Sequence, residues 1–493
     1  MRLLLVLVAP LIAGCPGRLH VCASDEDCGG TGRCQAGVCA PSSGEGEGEG
    51  EGEGEGEGEG EGEGEGEGEG EGEGEGEGEG EGEGEGEGEG EGEGEGEGEG
   101  EGDLVVEVTT GLAHTCARMG SGELRCFGEG VYGRLGRGDQ VSFGDTEPAS
   151  AAGTVAIGGP AADVAAGWYH TCAVLVGGDV LCWGYGGHGR LGYGGDDMVG
   201  DNETPDTAGA VPVGGAVKAI AGGWQHTCAL LANGAVRCWG EASLGRLGYG
   251  NTLNVGRDRL PYTAGDVPLG GETLQVVTGG QHTCALLADR TVRCWGSSPE
   301  HGASTFEPVG DDELPRVAAV AAPGQNVEEL AAGEHHTCAR FDTGDVRCWG
   351  ESGAGRLGVP GSSTIGDNEA PSVQPVVLLG AAAVSIAAGR SHTCALLDDG
   401  TVRCWGEGVF GALGTGSSSN VGDDEDPVDR AVVDVGEPVR SLAAGEHYTC
   451  AVTVTGHLRC WGWGASGRLG YGDQDNIGDG EPPAGAGDVP LLP

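Results

Sequence analysis

Six histidines recur at one position of a repeated phrase, and their residue type suits acid–base or metal chemistry. Each precedes a threonine and a cysteine, and the set comprises His114, His170, His226, His282, His336 and His392. Catalysis needs unlike groups that converge on one point, with a base within hydrogen-bond reach of its target. A residue tied to a repeat is instead distributed around the molecule by the symmetry of that repeat. The pattern therefore predicts buried structural histidines that bond to nearby backbone.

Fourteen of the 19 cysteines form seven pairs with nine residues between the partners. Between Cys394 and Cys404, two short apolar runs flank a three-residue loop that ends at Gly400, a residue suited to positive φ. Centring this hairpin on Asp399 places the two cysteines opposite each other, about 4.5–5.5 Å apart at Cα, within reach of a disulfide. Disulfides are favoured over zinc thiolates because such cysteine usage suits an oxidising compartment. The predicted disulfides are Cys116–Cys126, Cys172–Cys182, Cys228–Cys238, Cys284–Cys294, Cys338–Cys348, Cys394–Cys404 and Cys450–Cys460.

The hairpin of the fourth repeat departs from the other six. Six hairpins have glycine at the end of the loop, whereas the fourth has Arg290. Residues with a Cβ rarely adopt positive φ. Arg290 therefore predicts either a strained turn or a different type of turn.

Acidic loops are a second set of candidate ligands. They recur in six repeats as Asp145/Glu147, Asp201/Glu203, Asp311/Glu313, Asp367/Glu369, Asp423/Glu425 and Asp479/Glu481. Carboxylate oxygens in a loop can bind calcium. The same residues beside glycine and proline are also typical of turns, in which Asp bonds local backbone amides. The turn interpretation is favoured, no cofactor is predicted, and calcium stays open.

The repeat that positions these residues has a nearly constant length. The first cysteines of the seven pairs are spaced by 56, 56, 56, 54, 56 and 56 residues. A fixed period indicates a repeat architecture, and several short strands with turn signals are the pattern of a propeller blade. The apolar segments 104–106 and 489–492 flank the repeats. We predict that these end strands share one blade and close the ring.

Three motifs recur in order along the repeats, with variations from copy to copy: Gly-x-x-His-Thr-x-Ala-Leu, Gly-x-Val-x-x-Trp-Gly and Gly-x-Leu-Gly. They resemble the repeat of the RCC1 family (regulator of chromosome condensation). The resemblance covers residues 103–493 and implies an all-β, seven-bladed RCC1-like β-propeller. The paired cysteines are additional to the family pattern. Phe127 replaces the first tryptophan, Tyr448 replaces the seventh histidine, and the fourth repeat lacks Gly-Arg-Leu-Gly near His301.

Residues 1–14 have the pattern of a lipoprotein signal peptide. Arg2 precedes an apolar run that is too short to span a bilayer, and small residues follow. The segment 11–15 resembles a bacterial lipobox, which implies that Cys15 is lipidated and becomes the mature N-terminus. We therefore predict a lipid-anchored protein of the bacterial cell envelope, in the outer membrane or at the cell surface.

Two further segments precede the predicted propeller. Residues 15–44 contain Cys22, Cys28, Cys34 and Cys39. Two disulfides are predicted to hold this segment, because it is too short to bury a core, and their connectivity stays open. Residues 45–102 are 29 uninterrupted Glu-Gly dipeptides. They hold nothing apolar to bury, so we predict a disordered linker that its own charge extends.

Charge and missing motifs exclude several classes of function. The formal net charge is −55, and the chain stays acidic without the Glu-Gly tract. Such a surface repels nucleic acid and anionic lipid, so the membrane is reached through the anchor alone. A phosphate-binding loop, His-Glu-x-x-His and Gly-x-Ser-x-Gly are all missing from the sequence. We predict that the protein is not an enzyme.

Positions that differ between the repeats are the best candidates for function. Two residues vary between the loop glycine and the repeated histidine, and they should lie on one face, with an aromatic patch shared by blades one and two. The candidate partner-binding residues are Trp168, Tyr169, Trp224, Gln225, Glu334, His335, Arg390, Glu446 and His447. Tryptophan and tyrosine beside charged residues are typical of binding hot spots. The predicted function is an envelope lipoprotein that presents a disulfide-stapled propeller to a protein partner. The alternatives are a secreted hydrolase or lyase acting in the propeller channel, and a calcium-dependent adhesive or structural protein.

Overall fold

Seven antiparallel three-stranded sheets, one per repeat, make up the ring in the part of the chain that the structure describes. The computed structural model describes residues 32–35, 38–41, 104–317 and 326–492. In each sheet the inner strand precedes the middle strand, which carries His-Thr-Cys, and the third strand carries Cys-Trp-Gly or its variant. Inner strands of consecutive blades contact one another, including those of blades seven and one. This arrangement confirms the predicted all-β, seven-bladed propeller.

The strands of corresponding position have nearly equal lengths in all blades. The inner strands are Val105–Thr110, Ala161–Ala166, Val217–Gly222, Thr273–Thr278, Val327–Ala332, Ala383–Ala388 and Val439–Ala444. The middle strands are His114–Met119, His170–Leu175, His226–Leu231, His282–Leu287, His336–Phe341, His392–Leu397 and Tyr448–Thr453. The third strands are Leu124–Gly128, Val180–Gly184, Val236–Gly240, Val292–Gly296, Val346–Gly350, Val402–Gly406 and Leu458–Gly462.

Helices are short and lie in the connections between blades. Two α-helical turns span Pro205–Ala208 and Pro261–Ala264. Single 3₁₀ turns span Val131–Gly133, Ala149–Ala152, Gly187–Gly189, Ser243–Gly245, Pro315–Val317, Gly353–Gly355, Pro371–Val373, Val409–Gly411, Pro427–Asp429, Ala465–Gly467 and Pro483–Gly485. Among the described residues, no helix has the length and apolar character needed to cross a membrane.

Every hairpin between a middle and a third strand contains a disulfide. Cys394 pairs directly with Cys404 in the strand register, as predicted. All seven predicted cysteine pairs are bonded in the same way, with Cα atoms 4.0–4.1 Å apart. In the fourth hairpin Arg290 keeps a positive φ of 68°, close to the 82° of Gly400. Of the two outcomes predicted for Arg290, the structure therefore shows the strained turn.

The two ends of the described ring lie in different blades. Val105 begins the inner strand of blade one, whereas the backbone amide of Val489 bonds to Leu458 at the outer edge of blade seven (2.8 Å). The prediction that the end strands share one blade is therefore wrong, because each repeat begins at an inner strand and supplies its blade alone. The seam is closed by contacts such as the 3.1 Å hydrogen bond from the Val105 amide to the Gly456 carbonyl.

The repeated histidines join neighbouring blades. Nε2 of His114 lies 2.8 Å from the Thr171 hydroxyl of the next blade, and the other five histidines make the same contact at 2.8–2.9 Å. The Thr171 hydroxyl donates to the Arg134 carbonyl (3.0 Å), so it accepts from His114, which must carry its proton on Nε2. The histidines are buried, as predicted, but their partners are hydroxyls rather than backbone. At the seam, Tyr448 Oη donates to the His114 carbonyl (2.6 Å).

The repeated tryptophans anchor each blade to the loop of the preceding one. Trp183 Nε1 donates to the Arg134 carbonyl at 2.9 Å, beside the Thr171 hydroxyl that donates to the same oxygen. Phe127 has no such donor in blade one, where Thr115 alone reaches the Arg468 carbonyl (2.9 Å). The histidines, threonines and tryptophans that recur in the repeats therefore hold neighbouring blades of the ring together.

Most of the segments predicted before residue 103 lie outside the described residues. These are the signal peptide 1–14, Cys15, the Glu-Gly tract 45–102 and most of the cysteine-rich segment. Within that segment, the strands Gly32–Gln35 and Val38–Pro41 pair with each other and place Cys34 opposite Cys39 in the register.

Candidate functional site

One end of the ring carries the residues that differ between blades. Each inner strand ends near a glycine, and the two variable residues follow before the middle strand begins. Gly-rich loops from the third strands lie beside them, since Arg190 bonds the Trp224 carbonyl (3.0 Å) and Arg468 bonds the Leu112 carbonyl (3.1 Å). We call this end of the ring the loop face. All nine candidate partner-binding residues lie on it, and their role in binding stays a prediction.

Five aromatic rings form a continuous group on the loop face, which we call the aromatic patch: Tyr132, Trp168, Tyr169, Tyr185 and Trp224. The ring centroids of Trp168 and Trp224 are 4.3 Å apart, and those of Tyr132 and Tyr185 are 4.9 Å apart. Tyr169 connects the two pairs, at 6.4 Å from Trp168 and 6.1 Å from Tyr132. All five side chains are partly exposed.

The aromatic patch extends over more blades than the sequence predicted. Trp168 belongs to blade two, Trp224 to blade three, and Tyr132 to the loop that follows blade one. The assignment to blades one and two is therefore corrected to blades one to three. Sequence reasoning missed Tyr132 and Tyr185, because they occupy Gly-rich loops where the repeats differ without a motif.

Buried arginines lie beneath the loop face, and their carboxylate partners face the solvent. The side chain of Arg134 is 1% exposed, whereas that of Glu129, its partner at 2.9 Å, is 31% exposed. Arg246 and Glu241 repeat this arrangement at 3.3 Å. Burial lowers the pKa of Arg190 to about 10, and this guanidinium lies 4.8 Å from the ring centroid of Tyr185. The solvent at this face therefore meets aromatic rings and carboxylates.

A side chain from blade six crosses the mouth of the central channel. Arg390 Nε lies 2.7 Å from Glu334 Oε2 of blade five, and its Nη1 lies 2.6 Å from Glu446 Oε1 of blade seven. The guanidinium carbon is also 5.7 Å from the ring centroid of Trp168, which belongs to blade two on the far side. Behind these side chains lies a cavity of about 320 Å³, lined by the ends of all seven inner strands. We call the group Trp168, Trp224, Glu334, Arg390 and Glu446 the channel mouth.

His335 extends this charged network into the irregular fourth blade. Its Nδ1 lies 3.1 Å from Glu300 Oε1, and its Nε2 lies 3.3 Å from Glu334 Oε1. Hydrogen bonds to Glu300 and then to Glu334 raise the pKa of His335 to about 9, so the ring is an imidazolium at neutral pH. Glu300 occupies the place that arginine holds in the loops of most other blades, and it is buried.

His447 of blade seven faces the loop of blade six, as His335 of blade five faces the loop of blade four. Blade six has Ala412 where five other blades have arginine, and Glu407 faces His447 Nδ1 at 3.3 Å. Burial lowers the pKa of His447. A histidine therefore occurs at this position only in the two blades that follow a loop without arginine. Comparing each loop with the variable pair of the next repeat would have revealed this from the sequence.

A second aromatic group lies beside His447, between blades six and seven. Phe410 stacks on Trp463 with centroids 4.9 Å apart, and the Arg468 guanidinium lies 4.1 Å from the Trp463 ring centroid. Sequence reasoning missed both rings, because each lies in a Gly-rich loop of variable composition.

Several carboxylates of the acidic loops accept hydrogen bonds from the backbone of their own loop. Glu313 Oε1 accepts from the Gly310 amide at 3.3 Å, and Glu481 accepts in the same way from Gly478 at 3.2 Å. Asp311 Oδ1 accepts from the amide of Asp312 at 3.0 Å. These contacts are those of turns, and calcium binding stays an untested alternative.

The fold and the loop face together define a seven-bladed β-propeller with a symmetric scaffold and one face of non-repeated residues. Residues 161–484, more than half of the chain, match the model of the RCC1-like domain, and residues 121–174 match that of the RCC1 repeat. The chain belongs to the RCC1-like domain family.

Known proteins agree with this assignment. The ultraviolet-B receptor UVR8 of Arabidopsis thaliana is 30% identical over 374 residues, which are 75% of this chain and 79% of the receptor. Human WBSCR16 has a similar structure, with a TM-score of 0.55 and 19% identity over 68% of this chain and 83% of that chain. Prp20p of Saccharomyces cerevisiae gives a TM-score of 0.53 and 20% identity over 69% of this chain and 80% of its own. These two structures share the fold with this chain.

Proposed function

We propose that this chain is a lipid-anchored protein of the bacterial cell envelope whose propeller binds a protein partner through the loop face. The observation that carries the proposal is the concentration of non-repeated side chains there. Five partly exposed aromatic rings lie in contact, next to an ion-paired channel mouth. Partly exposed tryptophan, tyrosine and arginine are the side chains that most often dominate protein-binding energies.

The attachment point of the Glu-Gly tract supports this use of the loop face. The tract precedes Leu104, whose carbonyl accepts from the Gly120 amide at the hairpin end of blade one (2.8 Å). From there the six-residue inner strand Val105–Thr110 runs to the loop face, about 20 Å away. A tether at the hairpin end leaves the loop face free to meet a partner.

The names of a relative and of a solved structure of the same fold also describe a receptor and a binding protein. One is a receptor for ultraviolet-B, and the study of Prp20p concerns its binding to Gsp1p and histones. We transfer to this chain only the general property of binding a protein, and we propose that it acts without covalent chemistry.

The convergence of charged residues at the channel mouth makes a hydrolase or lyase the second candidate. Glu334 and Glu446 are the carboxylates that such an enzyme would use. Burial acts to raise the pKa of Glu334, but His335 and Arg390 outweigh it and hold that pKa below its usual value. Glu446 is held by Arg390 and lies 3.6 Å from Arg468. A carboxylate whose pKa is held low, as that of Glu334 is, is a poor general acid, so binding is the better supported function.

Site-specific photocrosslinking in cells would test the binding face. A photoreactive residue at Tyr169 of the full-length protein should crosslink to one defined partner. The same residue at Val176, which is 70% exposed and follows the middle strand of blade two, should not. Trp168→Ala with Trp224→Ala should reduce the adduct at Tyr169. Equal adducts at both positions, or an adduct that the double variant leaves unchanged, would exclude the loop face as the binding surface.

The lipid anchor has a separate test. Cys15→Ser should release the protein from the membrane fraction, because the cysteine thiol accepts the lipid in a lipobox. Metabolic labelling with a fatty acid should mark the wild-type protein and not the variant. Membrane retention of an unlabelled Cys15→Ser protein would contradict lipidation.

A further inference from the structure

We infer that the channel mouth recognises a cationic side chain on a basic segment of the partner, and that Arg390 occupies this site until the partner displaces it. The inference rests on the proposed function, because it assumes that a protein docks on the loop face. It adds the chemistry of the partner and the position of the central contact.

The channel mouth already binds one guanidinium, that of Arg390. Two carboxylates contact two different nitrogens, Nε with Glu334 at 2.7 Å and Nη1 with Glu446 at 2.6 Å. The ring centroid of Trp168 lies 5.7 Å from the guanidinium carbon, and the tilted ring of Trp224 contacts Trp168 with centroids 4.3 Å apart. Paired carboxylates and an indole face are the groups that recognise arginine in general. The side chain of Arg390 is 37% exposed and lies after the end of an inner strand, so it can leave without breaking a blade.

The charge that the loop face shows to solvent favours a basic occupant. Apart from Arg390, its arginines are mostly buried, as with Arg134 at 1% exposure, while carboxylates such as Glu129 and Glu351 are 31% and 46% exposed. Asp and Glu outnumber Lys and Arg by 80 to 25 in the whole chain, and 29 of the acids lie in the Glu-Gly tract. A basic segment is therefore attracted, whereas a second copy of this acidic chain is repelled.

The cavity behind the mouth has room for a single entering side chain. Its volume is about 320 Å³, at the lower end of the usual range for ligand sites, about 300–1,000 Å³. Its walls are mainly the glycine, alanine and threonine residues at the ends of the inner strands. These small residues leave the charged and aromatic groups of the mouth as the only selective contacts along this part of the described channel.

If a guanidinium group of the partner replaces that of Arg390, removal of Arg390 should strengthen binding of the partner's basic segment. The probe is a fluorescent peptide of alternating arginine and glycine, measured by anisotropy on the full-length protein at physiological ionic strength. Arg390→Ala should bind it about fivefold or more tightly than wild type, because the internal competitor is gone. Arg430→Ala is the matched control, since it removes the same charge from an exposed arginine paired with Glu425. It should change the affinity by less than about twofold.

Loss of the receptor groups should have the opposite effect. Glu334→Gln and Trp168→Ala should each weaken binding of the same peptide by about fivefold or more. The Glu-Gly tract also attracts a cationic peptide, but every variant contains it, so differences between variants report on the mouth. If Arg390→Ala lowers the melting temperature strongly, Arg390→Gln provides a milder test with the same expected sign.

Each remaining outcome overturns the inference. Equal changes for Arg390→Ala and Arg430→Ala would mean that only long-range charge acts. Insensitivity to Glu334→Gln and Trp168→Ala would place the peptide elsewhere, and Trp224-dependent self-association in sedimentation would identify a second copy as the occupant. The proposed function fails separately. If Tyr169 crosslinks to a partner but peptide affinity does not respond to the variants, the loop face remains the binding surface and the cation site is excluded. If peptide affinity responds to the variants but Tyr169 gives no crosslink, the cation site remains and the proposed function fails.

Discussion

At the scale of single residues, histidine has two opposite roles in this protein. The repeated histidines are fully buried between blades, and burial lowers the pKa of His170 to about 3 and that of His282 to about 4. His335 lies between Glu300 and Glu334, which raise its pKa to about 9. The same side chain is therefore a neutral hydrogen-bond donor in the ring and, at His335 on the loop face, a cation at neutral pH.

The buried histidines predict a loss of stability in acid. Their pKa values are about 6.5 in the unfolded chain and lower in the fold, so the unfolded chain binds more protons between pH 6.5 and about 3. The free energy of unfolding should therefore fall with decreasing pH, by about 1.4 kcal/mol per pH unit for each histidine. Denaturant unfolding between pH 7 and pH 4 measures this slope. His170→Gln should reduce this slope, and a pH-independent free energy of unfolding in the wild type would contradict the buried neutral rings.

His335 predicts a loss of stability in base. Its pKa is higher in the fold than in the unfolded chain, so its contribution is complete below pH 6.5 and lost as the pH rises through about 9. The difference corresponds to at most about 3 kcal/mol. In His335→Gln this contribution should be missing at pH 6, and the curves of variant and wild type should converge near pH 9. Parallel curves over that range would exclude an imidazolium at His335.

At the scale of elements, the unit of the fold is a hairpin with a disulfide across its register. The hairpin turn needs positive φ at its last residue, and glycine supplies it at Gly344 (80°) and in five other blades. Arg290 adopts 68° at the same place and is paired with Glu328 at 2.8 Å. The fourth blade therefore carries strain that the other blades avoid.

Arg290→Gly should stabilise the protein by about 0.5–1 kcal/mol. Relief of a left-handed conformation gains about 1–2 kcal/mol, and the lost partly exposed ion pair and the greater freedom of glycine offset part of it. Gly344→Arg is the reciprocal control. A Cβ there would lie 2.5 Å from that of Ala382, so this change should destabilise. Urea unfolding of both variants measures the difference, and a destabilised Arg290→Gly would show that the ion pair outweighs the strain.

At the scale of the whole molecule, the ring depends on contacts across its seam. Blade seven has Tyr448 where other blades have histidine, and its hydroxyl donates to the His114 carbonyl at 2.6 Å and lies 3.2 Å from the Thr115 hydroxyl. The tyrosine is fully buried between the last blade and the first. The seam therefore has its own hydrogen-bonding group in place of the repeated one.

Tyr448→Phe should weaken the seam. It removes one donor to the His114 carbonyl, which keeps the Gly111 amide at 2.8 Å, so the cost should be about 0.5–1.5 kcal/mol. Tyr262→Phe is the matched control, because Tyr262 is 50% exposed and lies away from the seam. Tyr448→Phe should have a lower melting temperature than Tyr262→Phe. Hydrogen exchange should increase in strands Val105–Thr110 and Tyr448–Thr453 first, and uniform exchange would contradict a local seam.

The sequence alone determined the features whose determinants lie within one repeat. The 56-residue period, the hairpin with Gly400, the pairing of Cys394 with Cys404 and the structural role of the histidines could all be predicted. The repeats made these features predictable, because a residue that recurs at the same position of each repeat must satisfy the same local geometry each time. The ring closure was mispredicted, because it depends on which strand of the repeat lies innermost, and spacing alone does not contain that information.

Only the tertiary structure decided what lies together on the loop face. Trp168 and Arg390 come from blades two and six and meet because the ring closes, whereas Tyr132 joins Tyr185 because consecutive blades pack against each other. Glu300 reaches His335 only because consecutive blades pack loop against strand end. Contacts between blades depend on the closure of the whole ring, so the sequence could name candidate residues for this face, and their arrangement required the fold.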